Sequence, residues 1–341
     1  MQPFENVSYQ QQLHHLQDLV EKVLPCYGLQ GAKSFLLQYE DNAVYLITTC
    51  TGERFVLRIS AAEGQSAVEQ WSEMQWLQAL RRETHLLVPE PIPTHDGTFV
   101  MSATVTEILE PRQCVLLSWI SGEPPEPGIQ LEIVERIGAF TAYLHLHSEH
   151  FVPPTGFVRP SWDWERLFGV SSVLNNEKVM VSLTHYQQEV LLAVSTKILQ
   201  ALNLIDKDAS SWGLIHADLH RDNILLHNEK VGIIDFDDCG WGYYLFDVAS
   251  VLDSFYRRVV TSHEGYPMLK EAYLTGYSRV RALPAHLDTS LRIFKVMRDM
   301  VNVNFILSSK NLNVQAWGYQ RLEKILAQFV SYLEDSLDCT I

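Results

Sequence analysis

Residues 214–238 read LIHADLHRDNILLHNEKVGIIDFDD, and few architectures accommodate that order. Two short apolar runs, Ile224–Leu226 and Val231–Ile234, flank a small polar turn, a pattern that predicts a hairpin-like unit. Asp218 and Asn223 precede the first run and Asp235 ends the second, so the mouth of the unit gathers their oxygens. Converging carboxylate and amide oxygens suit a hard cation such as Mg2+. A carboxylate buried at the end of an apolar run needs a partner, and for Asp235 a divalent cation is the strongest one. Asp218 follows the apolar Leu214-Ile215 and starts a loop at a strand end, where a carboxylate can accept or orient a hydroxyl proton. Asp237 is placed to help hold a second ion, and Asp238 reads as a solvated turn residue. Positioning, metal charge and one base are the requirements of phosphoryl transfer from a nucleotide.

The length of 341 residues suits two lobes better than one. Hydrophobic residues make up 47% of the chain, enough for a large core and too many for wholesale disorder. With 41 acidic against 26 basic residues the formal net charge is -15, which argues against broad nucleic-acid binding and is compatible with a cationic substrate. Cys26, Cys50, Cys114, Cys239 and Cys339 are odd in number and form no CxxC pair. Reduced thiols in a cytoplasmic protein are therefore expected rather than a disulfide framework or a zinc site. The polar start MQPFENVSYQQQ lacks the apolar stretch of a signal peptide, and no apolar run approaches the roughly 18 residues of a membrane span. No membrane or nucleic-acid partner is expected; a homodimer is allowed.

Residues 10–24 predict a helix that stops at Pro25 and Gly28. Three β-rich runs follow, Phe35–Leu37, Val44–Ile47 and Phe55–Leu57, and then a helix over 66–82 opened by a Ser66/Glu69 capping box. Pro89, Pro91 and Pro93 keep that helix from resuming. Two more strands are predicted at 99–106 and 113–120. The stretch 122–128, GEPPEPG, can continue neither helix nor strand and marks the lobe boundary, giving lobes of 1–121 and 122–341. Beyond it, helices are predicted at about 129–147, 184–204, 245–258, 267–282, 286–308 and 315–336. The fold class is α+β, with a small β-rich N-terminal lobe, a larger helical C-terminal lobe and a cleft between them where a ligand can bind.

His216-x-Asp218-x4-Asn223 followed by Ile234-Asp235-Phe236-Asp237 resembles the signature of the aminoglycoside phosphotransferase/choline kinase group, within the protein-kinase-like fold. Glu73–Leu80, Val88–Pro91, Arg159–Asp163 and Phe246–Ala249 look like further segments of the group in the expected order, so the resemblance covers roughly residues 30–300. It implies a nucleotide-dependent phosphotransferase with Asp218 as base and with Asn223 and Asp235 holding Mg2+ against the phosphates of ATP or GTP. Asp247 would brace the catalytic loop through its backbone amides. Kinases place a phosphate-gripping cation on the third strand, paired with a helix glutamate. Arg58 stands at that place, on the strand face opposite Phe55, Leu57 and Ile59, with Glu73 as partner. The turn containing Asn42 would cover the phosphates with its backbone N–H groups. Ser118 and Ile120 would form the hinge against the purine. The acceptor is a small hydroxylated molecule: homoserine, choline, an aminoglycoside and other amino alcohols all fit.

Other readings stay open at this point. His216, Asp218 and His220 superficially resemble a transition-metal centre of a hydrolase, with His227 as the nearest further ligand. Some proteins of this fold phosphorylate protein serine or threonine, and an inert nucleotide-binding fold is a third alternative. His145, His147 and His150 do not share one helical face, and His145 reads as packed or capping. The Arg159–Trp164 segment could line a substrate pocket, though packing accounts for its tryptophans.

Overall fold

The computed structural model describes residues 4, 7–40, 42–61, 64–106, 108–170, 172–260, 265–309 and 311–334. Asp41, Cys339 and the end of the predicted 315–336 helix lie outside the described residues. The chain begins with α1 (Tyr9–Val23), opened by a Ser8/Gln11 capping box. It continues through β1 (Lys33–Tyr39), β2 (Ala43–Thr48) and β3 (Arg54–Ile59). Next come α2 (Ala67–Glu83), β4 (Pro91–Ile92), β5 (Met101–Val105) and β6 (Ile108–Ser118). The strands pair antiparallel in the order β1-β2-β3-β6-β4, with β5 on β6. One face of the sheet, including Tyr45, Ile47, Leu57 and Ile59, shares a buried cluster with Leu16, Leu19, Val20 and Val23 of α1. Alternation then turns Arg58 to the other face, toward α2.

The capping box at Ser66 and Glu69 forms as its spacing predicts. β6 starts five residues before the predicted strand at 113 and ends two residues short of 120. Glu110, Pro111 and Arg112 conceal its first half in the sequence, and Pro111 is tolerated because the β5–β6 register slips between Ala103 and Val105. Beyond Ser118 the chain leaves the sheet. Gly122 (φ 150°) passes so close to the hairpin that a Cβ there would lie 2.9 Å from the Leu226 carbonyl oxygen, and Glu123 bridges Leu226.

The C-terminal lobe holds α3 (Leu131–His150), β7 (Ser161–Trp162), α4 (Trp164–Phe168), α5 (Glu177–Ser182), α6 (His185–Leu202) and β8 (Trp212–Ile215). The hairpin β9 (Ile224–His227) and β10 (Lys230–Ile233) pairs antiparallel with Ile224 opposite Ile233. Then come β11 (Gly240–Tyr243), α7 (Tyr244–Arg258), α8 (Tyr266–Ser278), α9 (Leu287–Ser308) and α10 (Leu312–Glu334). β11 joins β7 and β8 in a small sheet that the sequence reading missed, as it did α4 and α5. Its Gly-Trp-Gly-Tyr composition argues against a strand, but close approach requires it. A Cβ on Gly242 would lie 2.3 Å from Ile215 Cδ1, and one on Gly240 would lie 2.4 Å from the Pro160 carbonyl oxygen.

The larger core joins the lobes. Met74, Trp76, Leu77 and Leu80 of α2 share one buried cluster with Phe236, Phe246 and the helices behind them. Trp76 and Phe236 meet edge to face with centroids 5.6 Å apart, which ties the helix carrying Glu73 to the loop carrying Asp235. Among the described residues no helix is long and apolar enough to cross a membrane.

Candidate active site

The loop after β8 is held from behind. The fully buried Asp247 carboxylate, in the first turn of α7, accepts the His216 N–H at 2.8 Å and the Ala217 N–H at 2.9 Å. Ala217 sits at φ 68° and Asp235 at φ 65°, a left-handed conformation uncommon outside glycine and frequent at functional sites. Buried His216 links the two loops. Its Nδ1 accepts the Asp218 N–H at 3.3 Å, so Nε2 is the protonated nitrogen that donates to the Ile234 carbonyl at 2.9 Å. This accounts for both ring nitrogens, and His227 lies exposed at the far end of the hairpin, so the transition-metal reading of His216, Asp218 and His220 does not hold.

Asp218 reaches the cavity beside Asn223, whose Nδ2 donates to the Asp218 carboxylate at 3.2 Å and to its carbonyl at 3.0 Å. That orientation leaves Asn223 Oδ1 as the free acceptor. Arg298 on α9 forms an ion pair with the Asp218 carboxylate, and His220 Nε2 lies 3.3 Å away on its other side. Burial alone would raise the Asp218 carboxyl. Arg298, then His220 and His216, outweigh it and hold the group well below the usual carboxylate range.

Asp235 and Asp237 face the same cavity, and among the described residues no lysine, arginine or histidine stands within ion-pair distance of either. Burial, then the neighbouring Asp237 charge, raises the Asp235 carboxyl well above its ordinary value. Asp237 is positioned by its own carbonyl, which accepts from Arg159 and Gln65, and its carboxylate accepts from Asn42 Nδ2 at 2.7 Å. Asn42, in the turn predicted to cover the phosphates, thus also enters the site through its side chain. Asp238 is not a solvated turn residue. It is half-buried and lines the cavity, and burial with the Asp237 and Asp218 charges raises its carboxyl to about 8.

Above this floor, Arg58 and Glu73 pair as the strand and helix spacing predicts. Glu73 is fully buried behind Arg58 and does not reach the cavity. At the rim, Ser118 is engaged locally: its N–H donates to the Glu90 carbonyl at 2.9 Å and its Oγ accepts the Glu90 N–H at 2.8 Å. The Ile120 N–H has no partner among the described residues. The cavity itself measures about 1090 Å3 and lies between the sheet and the helices. Asn42, Arg58, Ser118 and Ile120 line it from one lobe, and Asp218, Asn223, Asp235 and Asp237 from the other.

The donor set is oxygen only: the Asn223 amide oxygen and the Asp235 and Asp237 carboxylates. These are hard ligands, and the uncompensated carboxylates would be relieved by a cation. Among the described residues no three His, Cys, Asp or Glu side chains complete a metal site by themselves. The oxygen donors fit a hard divalent cation whose shell is completed by waters and phosphates.

Sequence reasoning missed Arg298, Arg166 and the role of Asp238. Arg298 and Asp299 interrupt the buried residues Met297 and Met300 of α9, and a charged pair inside an apolar helix was the available signal. The Arg159–Trp164 segment is largely structural. Arg159 clamps the Cys239 and Asp237 carbonyls, and Trp164 Nε1 donates to the Ser195 carbonyl at 3.0 Å. Trp162 does reach the cavity, with the Arg166 guanidinium 4.4 Å above its ring. His145 is packed, bonded to the Tyr277 hydroxyl and to Asp247.

A β-rich lobe over a helical lobe, with an Asp-Asn-Asp constellation between them, defines a phosphotransferase of the protein-kinase-like fold. Residues 36–283 match the family described as "Phosphotransferase enzyme family", and the chain belongs to that family. It is similar to the amicoumacin kinase of Bacillus subtilis (strain 168), 20% identical over 273 residues that cover 78% of this chain and 76% of the relative. Among solved structures it is similar to a microcompartment-associated aminopropanol kinase (TM-score 0.76, 26% identity, 93% of this chain and 97% of that one). It is also similar to an amicoumacin kinase in complex with AMP-PNP and Ca2+ (TM-score 0.76, 19% identity, 94% and 96%). The protein is a phosphotransferase for a hydroxyl group of a small molecule.

Proposed function

We propose that the protein moves the γ-phosphoryl group of ATP to a hydroxyl of a small metabolite or drug-like molecule, with Asp218 as the base. The observation that carries this reading is the convergence of Asp218, Asn223 and Asp235 on one cavity floor beneath Arg58. The acceptor oxygen attacks the γ-phosphorus while its proton passes to the Asp218 carboxylate, and the bond to the β-phosphate oxygen breaks to release ADP. Arg58, kept straight by Glu73, grips the nucleotide phosphates. Asn223, Asp235 and Asp237 would hold Mg2+, which supplies positive charge to the phosphates when bound. The Ile120 N–H meets the purine edge, and GTP would use the same contacts. In this reading residues 1–121 form the nucleotide lobe and 122–341 carry the base and the acceptor. The AMP-PNP and Ca2+ of the similar amicoumacin kinase support nucleotide and divalent-metal use here.

A coupled ADP-release screen over amino alcohols, hydroxy amino acids and aminoglycosides, with Mg-ATP and an Asp218→Ala control, tests this. Acceptor-dependent ADP release that vanishes in the control is expected. Release that persists unchanged in the control contradicts the assignment of the base.

A further inference from the structure

Arg298 projects from α9 into the cavity, and its only carboxylate partner among the described residues is Asp218. The neighbouring charges of α9 are occupied elsewhere. Asp299 pairs with Arg257 at 3.0 Å and with Lys295 at 2.7 Å, and Lys295 also approaches Asp253. On the same cavity wall Arg166 lies over Trp162 with no carboxylate within 4.0 Å among the described residues. Two guanidiniums therefore face the space beside the base, on the side built by α4 and α9 rather than by the sheet that carries Arg58.

Arg298 occupies Oδ1 of Asp218, so an acceptor hydroxyl reaches that oxygen only once the guanidinium has another anion to hold. An acceptor with its own carboxylate supplies that anion. Exchanging one carboxylate for another keeps the cation paired, whereas a neutral or purely cationic acceptor leaves the base clamped. Resting on the phosphotransferase reading above, we propose that Arg298 is a specificity residue for the acceptor. The acceptor is then a small hydroxyl compound bearing a carboxylate, which draws the guanidinium off Asp218 as it binds.

Three matched pairs of acceptors differ only in the carboxylate: L-homoserine and 3-amino-1-propanol, L-threonine and 1-amino-2-propanol, L-serine and ethanolamine. Steady-state ADP release with Mg-ATP is measured for the wild type, Arg298→Gln and Arg298→Lys. In the pair used best, the wild type should favour the acid by about tenfold or more in kcat/KM. Arg298→Gln should raise KM for the acid and increase turnover of the amine, because the base is then unclamped. Arg298→Lys should keep part of the preference. A wild type that prefers the amine overturns the inference. So does an Arg298→Gln enzyme that loses acid and amine turnover equally, as it would if Arg298 served the γ-phosphate or only the fold. Turnover of none of the six compounds overturns it as well. A thermal-shift titration with Mg-ATP alone separates the two failures. Stabilisation by Mg-ATP leaves the phosphotransferase reading standing when the inference falls, and its absence together with no ADP release sinks both.

Discussion

Arg58 of β3 and Glu73 of α2 form a two-pronged ion pair almost closed to solvent, with the guanidinium 5% and the carboxylate 0% exposed. Burial alone would lower the Arg58 pKa, but the Glu73 charge outweighs it and the guanidinium stays charged. Removing either partner leaves the other buried and alone. Glu73→Ala should therefore cost about 3 kcal/mol of stability or more, measured by urea unfolding. The double variant Arg58→Met/Glu73→Leu should recover most of that stability while losing nucleotide affinity. A double variant that binds Mg-ATP as tightly as the wild type would remove Arg58 from the phosphate site.

Asp247 braces the loop that presents Asp218. Asp247→Ala strands the buried N–H groups of His216 and Ala217, and about 3 kcal/mol of stability or more should be lost. Asp247→Asn keeps one acceptor oxygen and should lose less. Urea titrations of the two variants check the order. A loss under about 1 kcal/mol for Asp247→Ala would mean that the loop holds its shape without the brace.

The oxygen donors predict a metal dependence confined to the nucleotide complex. At Mg-ATP concentrations about a hundred times Kd, stabilisation of about 2.7 kcal/mol is expected, and EDTA should abolish its metal-dependent part. Asp235→Asn should show little difference between ATP with and without Mg2+. A full Mg2+-dependent shift in Asp235→Asn would exclude Asp235 as a ligand.

His145 gives the folded protein a pH dependence. Burial pushes its pKa down, Asp247 opposes this, and burial wins. A group with a depressed folded pKa binds its proton more readily when unfolded. The neutral ring therefore contributes fully above the ordinary histidine pKa, and that contribution is lost as pH falls below it. The slope is at most about 1.4 kcal/mol per pH unit. Urea unfolding at pH 7.5 and 5.5 should show the decline, and His145→Gln should flatten it. An equal decline in both proteins would place the effect on other groups.

Much of this site was legible because its parts are local. The runs around Asn223 and Asp235 fold back as β9 and β10, and strand parity alone set Arg58 against α2. The Ser66 capping box marked where α2 begins, which fixed the phase that brings Glu73 inward. What stayed hidden depends on distant packing. Arg298 lies 80 residues beyond Asp218, and no local pattern links them. The glycine-rich β11 is a strand through its pairing with the distant β7 and β8, and crowding by Ile215 and Pro160 leaves room only for glycine at 242 and 240. Asp238 reads as a turn until Trp162, bonded to its carbonyl, closes the loop against the cavity wall.

The base assignment is the centre of the account. The most direct measurement is kcat of Asp218→Ala beside the wild type with the best acceptor found, with Mg-ATP affinity measured on both proteins. Asp218→Ala should fall by at least about two decades in kcat, roughly 3 kcal/mol of barrier, with Mg-ATP affinity largely kept. Wild-type turnover in Asp218→Ala would contradict the account.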